Sequence, residues 1–473
     1  MRMTAAEVAD ATGGQVVAGS PDAVFDSFTN DSRAVSVSRA ADGAGACFVA
    51  LQDHRDGHDF VDAAFAAGAL GALVREVPPA LAHRDGRVLV RVADPGRALM
   101  AVAAAARARR PDLRVVAITG STGKTSTKDL TAGAIAPGRV VHANPESFNN
   151  EIGLPLTVLG AGDHTEVLVT EMGARFAGNI AELCAIARPE IGIVTNIGIA
   201  HAEHLGGPEG VLAVKGELFE ALPATGVAIV AADDPSTPRL IERSAAPILR
   251  CGTAAGSDVR LTGCALDEQL RAAITVDSPW GPIETRLAVR GEHQAGNALF
   301  AIAAAGTLGV AADAIAAGLA SATGSRWRLE LERRADGVTV LNDVYNANPA
   351  SMEAALRALL ALPATGRRIA VLGDMRELGA ASASAHAGVG ELAARLGVDV
   401  VVGVGEGGAQ IVTAATKVPT RITTADAAEA AAAVDPLLQP GDVVLLKASR
   451  AVGLETVADA LLRPSGLHAR CGS

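Results

Sequence analysis

A short glycine-rich loop, placed between an apolar stretch and a helical stretch, has the residue types that bind nucleotide phosphates. Residues 113–118 have the pattern of a buried strand, and Gly120 and Gly123 after them permit a tight turn. Lys124 would contact the phosphates and Thr125 could hold Mg²⁺, while the following helix points its N-terminus at the anion. The loop is shorter than the standard pattern, which would have glycine at position 118. We therefore predict a nucleotide site here, and the alternative is a glycine turn with a solvated lysine.

Two polar residues follow strand patterns in the middle of the chain. Glu171 comes directly after the predicted strand 166–170, where a carboxylate can reach a phosphate-bound metal, but an acid at a helix start would look the same. His201 follows the predicted strand 191–195 and is either a ligand or a hydrogen-bonded surface residue. Mg²⁺ prefers oxygen ligands, which makes histidine a less usual choice.

Lys215 stands on an apolar helix face. In the predicted helix 209–221, the positions on one face hold Val211, Lys215, Leu218 and Leu222. Burying an ammonium group is costly, so this pattern indicates a lowered pKa, a phosphate partner or a covalent modification. The alternative is a lysine that extends from the rim of the face into solvent.

A polar cluster at 149–155 and a second glycine-rich turn leave two interpretations open. The amides of Asn149 and Asn150 could bind a sugar or phosphate, or could cap a loop. Residues 403–408 match Gly-x-Gly-x-x-Gly after the predicted strand 398–402, and Asp426 lies near the distance expected for a ribose contact. This turn supports a rival hypothesis, a nicotinamide- or flavin-binding domain.

The elements that must position these residues fall into three sections. Their predicted bounds are 1–109, 110–322 and 323–473, and Pro111 marks the first boundary. Strand patterns alternate with helical stretches in the second and third sections, which predicts parallel sheets with ligands at the carboxyl ends of the strands. We expect an α/β protein with a small N-terminal α/β domain, a central P-loop ATPase-like sheet and a C-terminal Rossmann-like domain.

Composition narrows the class of protein further. The chain has 473 residues, 49% hydrophobic and 3% aromatic, which suits helices packed on parallel sheets. A net charge of −11 argues against a nucleic-acid surface. The five cysteines show no Cys-x-x-Cys spacing, as expected of reduced thiols rather than a zinc site or disulfide frame. Without a membrane-length apolar run or a signal-peptide core, we expect a cytoplasmic protein.

Taken together, these residues resemble the Mur ligase family and, within it, the branch that adds D-alanyl-D-alanine. The resemblance covers nearly the whole chain, and its segments are 30–33, 48–51, 56–60, 119–125, 147–153, 171–175, 196–201, 214–218, 291–298, 327–330, 342–349, 372–379 and 447–450. The segment 342–349, Asn-Asp-Val-Tyr-Asn-Ala-Asn-Pro, discriminates best between branches, and the Asp-Asn-Pro-Arg signature of the diaminopimelate- or lysine-adding branch is absent. Two residues depart from the family pattern: Gln294 replaces a common Asn, which leaves its contact in doubt, and Ala448 replaces a frequent Gly.

The resemblance implies a role for each matching residue. It assigns catalysis to Lys124, Glu171, His201, Lys215 and Arg328. It assigns metal binding to Thr125, Glu171, His201 and Lys215, the lysine as a carbamate. The implied ATP-binding residues are Gly120, Ser121, Thr122, Gly123, Lys124, Thr125, Ser126, Asn297, Arg328 and Asp343. The implied substrate-binding residues are Ser32, Arg33, Asn149, Asn150, Arg175, Tyr345, Asn346 and Asn348.

The resemblance also implies a reaction. The carboxylate of UDP-N-acetylmuramoyl-tripeptide would attack the γ-phosphorus of ATP, and D-alanyl-D-alanine would then attack the acyl phosphate. ATP and two Mg²⁺ ions are the implied cofactors, a UDP-binding role falls to the first section, and the third would close on ATP and bind D-alanyl-D-alanine. The expected setting is the last cytoplasmic step of the peptidoglycan precursor, carried out by a monomer. The alternatives are an amino-acid-adding, folylpolyglutamate-type or natural-product relative.

Overall fold

The computed structural model describes residues 1–35, 43–52, 55–77, 86–198 and 205–463. Its first sheet has the strand order β1-β3-β4-β5-β6-β2. The strands β3 to β6 are parallel, and β1 and β2 pair antiparallel at the two edges. The elements of this part are β1 Met3–Thr4, α1 Ala5–Thr12, β2 Gln15–Ala18, β3 Val24–Thr29, β4 Gly45–Val49, α2 Val61–Ala66, β5 Gly71–Val74, β6 Val88–Arg91 and α3 Pro95–Ala108.

The second sheet is the largest and carries the phosphate loop. Its order is β15-β14-β13-β12-β11-β10-β7-β9-β8, parallel from β8 to β13 and antiparallel through β14 and β15. Its strands are β7 Arg114–Thr119, β8 Val141–Ala143, β9 Val167–Glu171, β10 Ile191–Val194, β11 Val227–Ala231, β12 Ile248–Gly252, β13 Val259–Leu266, β14 Arg271–Asp277 and β15 Ile283–Arg290. Its helices are α4 Lys124–Ile135, α5 Gly153–Gly160, α6 Asn179–Ala187, α7 Pro208–Glu220, α8 Thr237–Ile241, α9 Gln294–Thr307 and α10 Ala312–Ser321.

The third sheet has the order β16-β17-β21-β18-β19-β20, with only β16 antiparallel to its neighbour. Its strands are β16 Glu330–Arg333, β17 Thr339–Asn342, β18 Arg368–Gly373, β19 Val400–Val404, β20 Thr420–Thr424 and β21 Val443–Lys447. Its helices are α11 Pro349–Ala361, α12 Ser382–Leu396, α13 Gly405–Ala414, α14 Ala427–Val434 and α15 Glu455–Leu462. The predicted α/β class with parallel sheets is confirmed, while the predicted boundaries at 109/110 and 322/323 stay predictions.

The central strands explain where the site lies. Strand β7 is buried from Val115 to Thr119, and such continuous apolar runs are typical of parallel strands covered on both faces. It pairs with β9 on one side and β10 on the other, so that Ile118 lies opposite Glu171 and Thr119 opposite Val194. The carboxyl ends of these three strands therefore meet at one edge of the sheet. Among the described residues, no helix is both long and apolar enough to span a bilayer.

Candidate active site

The loop between β7 and α4 depends on two glycines. Gly120 has φ 145° and Gly123 has φ 77°, conformations that side chains with a Cβ rarely adopt. A Cβ on Gly120 would also collide with Thr195 Oγ1. The shortened loop thus fits tightly against the end of β10.

The segment after β10 fixes the phosphate loop through its side chains. Asn196 Oδ1 accepts from the Thr122 backbone N at 3.0 Å, and Asn196 Nδ2 donates to Thr122 Oγ1 at 2.5 Å. Thr195 Oγ1 donates to the Thr122 carbonyl at 2.6 Å, and the Gly198 N–H donates to Ser121 Oγ at 2.8 Å. Since the backbone N–H, the carbonyl and the hydroxyl of Thr122 are all hydrogen-bonded within the protein, the loop is held in this conformation by the protein itself.

A hydroxyl and a carboxylate face each other where β9 ends and α4 begins. Thr125 Oγ1 donates to Glu171 Oε2 at 2.7 Å, and Asn149 Nδ2 donates to Glu171 Oε1 at 2.6 Å. Glu171 is 1% exposed and is itself the last residue of β9, and its backbone N donates to Asn144 Oδ1 at 2.9 Å. The alternative of an acid at a helix start is therefore wrong. These oxygens are of the kind that Mg²⁺ prefers in proteins.

Two lysines lie beside this pair. Lys124 Nζ donates to the Gly120 carbonyl at 2.9 Å, and burial in the cleft lowers the pKa of Lys124. Lys215, on α7, is 0% exposed, and its Nζ has no hydrogen-bond partner within the described part of the chain. Burial, together with the nearby charge of Lys124, lowers the pKa of Lys215 to about 7. A lysine that reaches solvent from the rim is thus excluded.

The third sheet and the linker before it contribute a second group of polar side chains. Arg328 Nη2 donates to Thr125 Oγ1 at 2.8 Å, and the Arg328 guanidinium lies 4.5 Å from the ring centroid of Tyr345. Asp343 Oδ2 accepts from Lys447 Nζ at 2.6 Å, and Lys447 also donates to the Asn346 carbonyl at 2.9 Å. Lys447 ends β21 and is 2% exposed, and the sequence analysis did not assign it to the site.

One cavity of about 710 Å³ joins the two groups, a size that suits a substrate or cofactor. It brings together most of the predicted site residues: Ser121, Thr122, Gly123, Lys124, Thr125, Ser126, Asn149, Asn150, Glu171, Arg175, Asn297, Arg328, Asp343, Tyr345, Asn346 and Asn348.

Comparison with known proteins identifies the family. Residues 118–305 match the Mur ligase middle domain, and residues 327–450 match the Mur ligase, glutamate ligase domain. This chain belongs to the Mur ligase family. It is 40% identical to the UDP-N-acetylmuramoyl-tripeptide–D-alanyl-D-alanine ligase of Mycobacterium bovis, with 100% of this chain and 99% of that protein covered.

Solved structures agree with the sequence matches. Crystal structure I of MurF from Acinetobacter baumannii has a TM-score of 0.85 at 31% identity and covers 98% of this chain and 99% of that one. The MurF ligase of Thermotoga maritima in complex with ADP has a TM-score of 0.76 at 29% identity and covers 92% of this chain and 96% of that one. Both similarities extend over all three sheets.

Not all predicted residues of this Mur ligase line the cavity. Ser32 and Arg33 lie in a short 3-10 helix after β3 and do not line the cavity; Arg33 pairs there with Asp31 at 2.8 Å and lowers the pKa of Asp31 to about 2. Lys215 is buried, and it too is not among the lining residues. His201 lies outside the described residues. The described residues hold no cluster of three or more histidine, cysteine or acidic side chains suited to a metal.

The departure at Gln294 has a structural explanation in this Mur ligase. Gln294 is 3% exposed at the start of α9, its Oε1 accepts from Asn297 Nδ2 at 2.8 Å, and its Nε2 donates to Ser126 Oγ at 3.4 Å. The glutamine therefore links α9 to the phosphate helix α4. His293, also missed by the sequence analysis, lines the cavity, and burial lowers its pKa.

In the second glycine-rich turn of this Mur ligase, a side chain of the protein occupies the helix start. The Gly407 N–H, in the first turn of α13, donates to Asp374 Oδ1 at 2.8 Å. Asp426, the proposed ribose contact, instead accepts from the Glu429 N–H at 2.9 Å and caps α14. Since a carboxylate occupies the place a dinucleotide phosphate would take, the dinucleotide hypothesis is not supported.

Proposed function

We propose that this chain is an ATP-dependent ligase that joins D-alanyl-D-alanine to UDP-N-acetylmuramoyl-tripeptide. The main support is the shared cavity in which Lys124, the Thr125–Glu171 pair and Arg328 face the segment 345–348. The Mycobacterium bovis relative, aligned over the full length of both chains, carries that activity in its name. The structural neighbours that are MurF proteins point the same way.

The chemistry proceeds in two steps. A carboxylate oxygen of the tripeptide attacks the γ-phosphorus of ATP, the bond to the bridging oxygen breaks, and ADP leaves with its electron pair. The amine of D-alanyl-D-alanine then attacks the carbonyl carbon of the acyl phosphate, loses a proton, and inorganic phosphate leaves. The products are the pentapeptide precursor, ADP and phosphate.

The residues of the cavity act mainly through position and charge. The first step brings two anions together, so catalysis depends on cations that neutralise the transferred phosphoryl group. Lys124 lies at the start of the phosphate helix, and Arg328 reaches from the linker before β16 to within 2.8 Å of Thr125 Oγ1. Asn149 holds the Glu171 carboxylate in the cavity. The carboxylate of Asp374, in contrast, accepts from a backbone N–H at the start of helix α13.

The donor set fits Mg²⁺. The oxygens of Thr125 and Glu171 lie 2.7 Å apart and face the cavity, and Mg²⁺ at phosphate sites commonly uses one or two protein ligands and the substrate's own oxygens. We assign one Mg²⁺ to Thr125 and Glu171 and a second to His201 and a carbamate of Lys215. When bound, these ions would supply positive charge to the triphosphate.

The surroundings of Lys215 support the proposed carbamate. A fully buried amine without a partner is an unfavourable ammonium but a good nucleophile for CO₂. Addition of CO₂ converts the amine to a carbamate and releases one proton, which exchanges a cation for an oxygen ligand. Incubation with ¹³C-bicarbonate should give a protein carbamate signal in the ¹³C spectrum that Lys215→Ala lacks. Activity of Lys215→Ala should return with added short carboxylates, and full activity without them would contradict the assignment.

Substrate-dependent phosphate release tests the function as a whole. The purified full chain should release phosphate from ATP only when UDP-N-acetylmuramoyl-tripeptide and D-alanyl-D-alanine are both present. Glutamate and diaminopimelate, offered with their own acceptors, serve as the matched alternatives. Turnover with either of them, and none with D-alanyl-D-alanine, would overturn the proposal in favour of another amide ligase.

We also propose that the enzyme acts as a monomer in the cytoplasm, where ATP and the nucleotide-linked precursor are found. One copy of the chain provides all the cavity-lining residues described above. Light scattering coupled to gel filtration should give the mass of a single chain, 47.6 kDa, with and without ATP analogue. A mass of two chains would contradict this part of the proposal.

A further inference from the structure

The backbone on both sides of Arg328 has an unusual conformation. The linker between α10 and β16 carries Trp327 with φ 61° and Leu329 with φ 53°, both in the left-handed region. Bulky residues rarely adopt this conformation, and it persists only where the surroundings enforce it. Two such residues around one arginine indicate that the surrounding fold determines the direction in which the Arg328 side chain extends.

The two flanking side chains are anchored in different parts of the third sheet. Leu329 is 3% exposed and belongs to the hydrophobic cluster of Leu341 and Met352. Trp327 packs instead against the cluster that contains Val344 and Leu454. With its neighbours fixed on separate clusters, Arg328 is left to extend toward the phosphate loop.

Arg450 holds the Trp327 ring in place. Its guanidinium carbon lies 4.2 Å from the ring centroid, a distance at which cation–π attraction is effective, and Glu455 Oε1 accepts from Arg450 Nη1 at 2.8 Å. The Trp327 carbonyl also accepts from the Tyr345 N–H at 3.3 Å. Arg328 stacks on the ring of Tyr345, so this backbone hydrogen bond connects Trp327 to the residue against which Arg328 packs.

The same linker is fastened at its other end to the phosphate helix. The backbone N and the Oγ of Ser325 both donate to Asp129 Oδ2 at 2.7 Å, and Asp129 lies on α4. The linker is therefore attached to the ATP side at Ser325 and to the third sheet at Trp327. Arg328 is the next residue after these two attachments.

We infer that Trp327, held by Arg450, is a positioning residue that directs Arg328 onto the phosphate site. This inference rests on the proposed function, because there Arg328 is given its contact with the transferred phosphoryl group. Trp327 itself does not line the cavity. Its substitution should therefore act only through Arg328.

A double-mutant cycle in the full chain tests this. Trp327→Leu should lower kcat about tenfold or more, since small misplacements of a charged group near the chemistry have effects of that size. The KM for D-alanyl-D-alanine should change less than about twofold, and Trp327→Phe, which keeps a ring for Arg450, should recover most of the activity. In an Arg328→Ala background, Trp327→Leu should cause no further loss, because the group it positions is gone.

A matched pair of arginine variants provides the control. Arg450→Gln should reduce kcat in the same way as Trp327→Leu, also only when Arg328 is present. Arg87→Gln removes a similar stack between the residue before β6 and helix α2, 5.6 Å from the Phe65 ring, and should leave kcat unchanged. Thermal unfolding of each variant identifies any that fail to fold, and Trp327→Phe and Arg450→Gln test the inference if Trp327→Leu does fail.

The outcomes separate this inference from the proposed function. Wild-type chain without D-alanyl-D-alanine-dependent phosphate release would refute the function, and the same cycle would then be measured as affinity for a non-hydrolysable ATP analogue. If the losses from Trp327→Leu and Arg328→Ala add, in kcat or in the affinity that replaces it, the positioning role would be overturned. If the losses do not add, the positioning role would be supported.

Discussion

Two glycine-rich turns in this chain follow buried strands and open helices, yet only one of them faces the cavity. The turn after β7 places Ser121 to Ser126 on the cavity wall. The turn after β19 places the Gly407 N–H against the carboxylate of Asp374. The first helix start is available to a ligand, whereas the second is occupied by the protein itself.

The difference shows what glycine spacing can and cannot indicate. Every helix start leaves backbone N–H groups that need acceptors, and a carboxylate near them is favoured by the helix dipole. Glycine permits the tight turn in both places but does not determine which acceptor arrives. At α13 the acceptor is a residue distant in sequence, Asp374, whereas at α4 the proposed acceptor is a ligand.

Lys124→Ala should nearly abolish activity. The variant removes the cation at the first turn of the phosphate helix, and loss of one such transition-state contact costs about 10³-fold in kcat. Steady-state phosphate release measures the effect. Lys417→Ala, which removes an exposed lysine of the third section, is the matched control and should leave kcat unchanged. Wild-type turnover by Lys124→Ala would show that the turn after β7 is not the phosphate site.

Gly120→Ala should weaken ATP binding by about 10²-fold, since a misplaced loop loses several phosphate contacts together. The residue has φ 145° and a Cβ would collide with Thr195 Oγ1, so the loop must move. Titration with a non-hydrolysable ATP analogue gives the affinity. Gly388→Ala is the control, because a Cβ at that helical position meets no atom within 4 Å. An unchanged affinity in Gly120→Ala would mean that the loop geometry does not set binding.

Asp374→Ala should lower the free energy of unfolding of the chain without changing its affinity for ATP. It leaves the Gly407 N–H without its carboxylate, and removal of such a helix-start partner costs about 1–2 kcal/mol. Urea unfolding measures this cost, and the affinity for the ATP analogue should stay within about twofold of wild type. If the variant instead gains binding of a nicotinamide dinucleotide, the two turns would differ only in that Asp374 occupies the second one.

Much of the site was predictable because it follows from local patterns. The strand–loop–helix at Lys124 is contiguous, and the position of Glu171 at the carboxyl end of a parallel strand follows from the alternation of strands and helices. Lys215 was found from its apolar stripe, and the structure confirms its burial. These three depend on residues near them in sequence.

The residues that were missed depend on distant contacts. Asn144 accepts from the Glu171 N–H, Lys447 pairs with Asp343 across 104 residues, and Asp374, just after β18, accepts from the Gly407 N–H in α13. No periodicity marks such side chains, because each is defined by what the sheet order places beside it. The Gly-x-Gly-x-x-Gly interpretation of 403–408 failed for the same reason. The roles of Ser32 and Arg33, which do not line the cavity, stay predictions.

The smallest expected effect concerns Asp426, the candidate ribose contact in the sequence. Asp426→Ala removes the cap of α14, where the Glu429 N–H donates to Asp426 Oδ1 at 2.9 Å, and N-cap loss typically costs about 1 kcal/mol. Asp426→Asn keeps an acceptor and should lose less, which makes it the matched control. Urea unfolding should separate the two variants, while both keep wild-type kcat and ATP affinity. A selective loss of nucleotide binding in Asp426→Ala would restore the dinucleotide hypothesis, because a helix cap cannot discriminate between ligands.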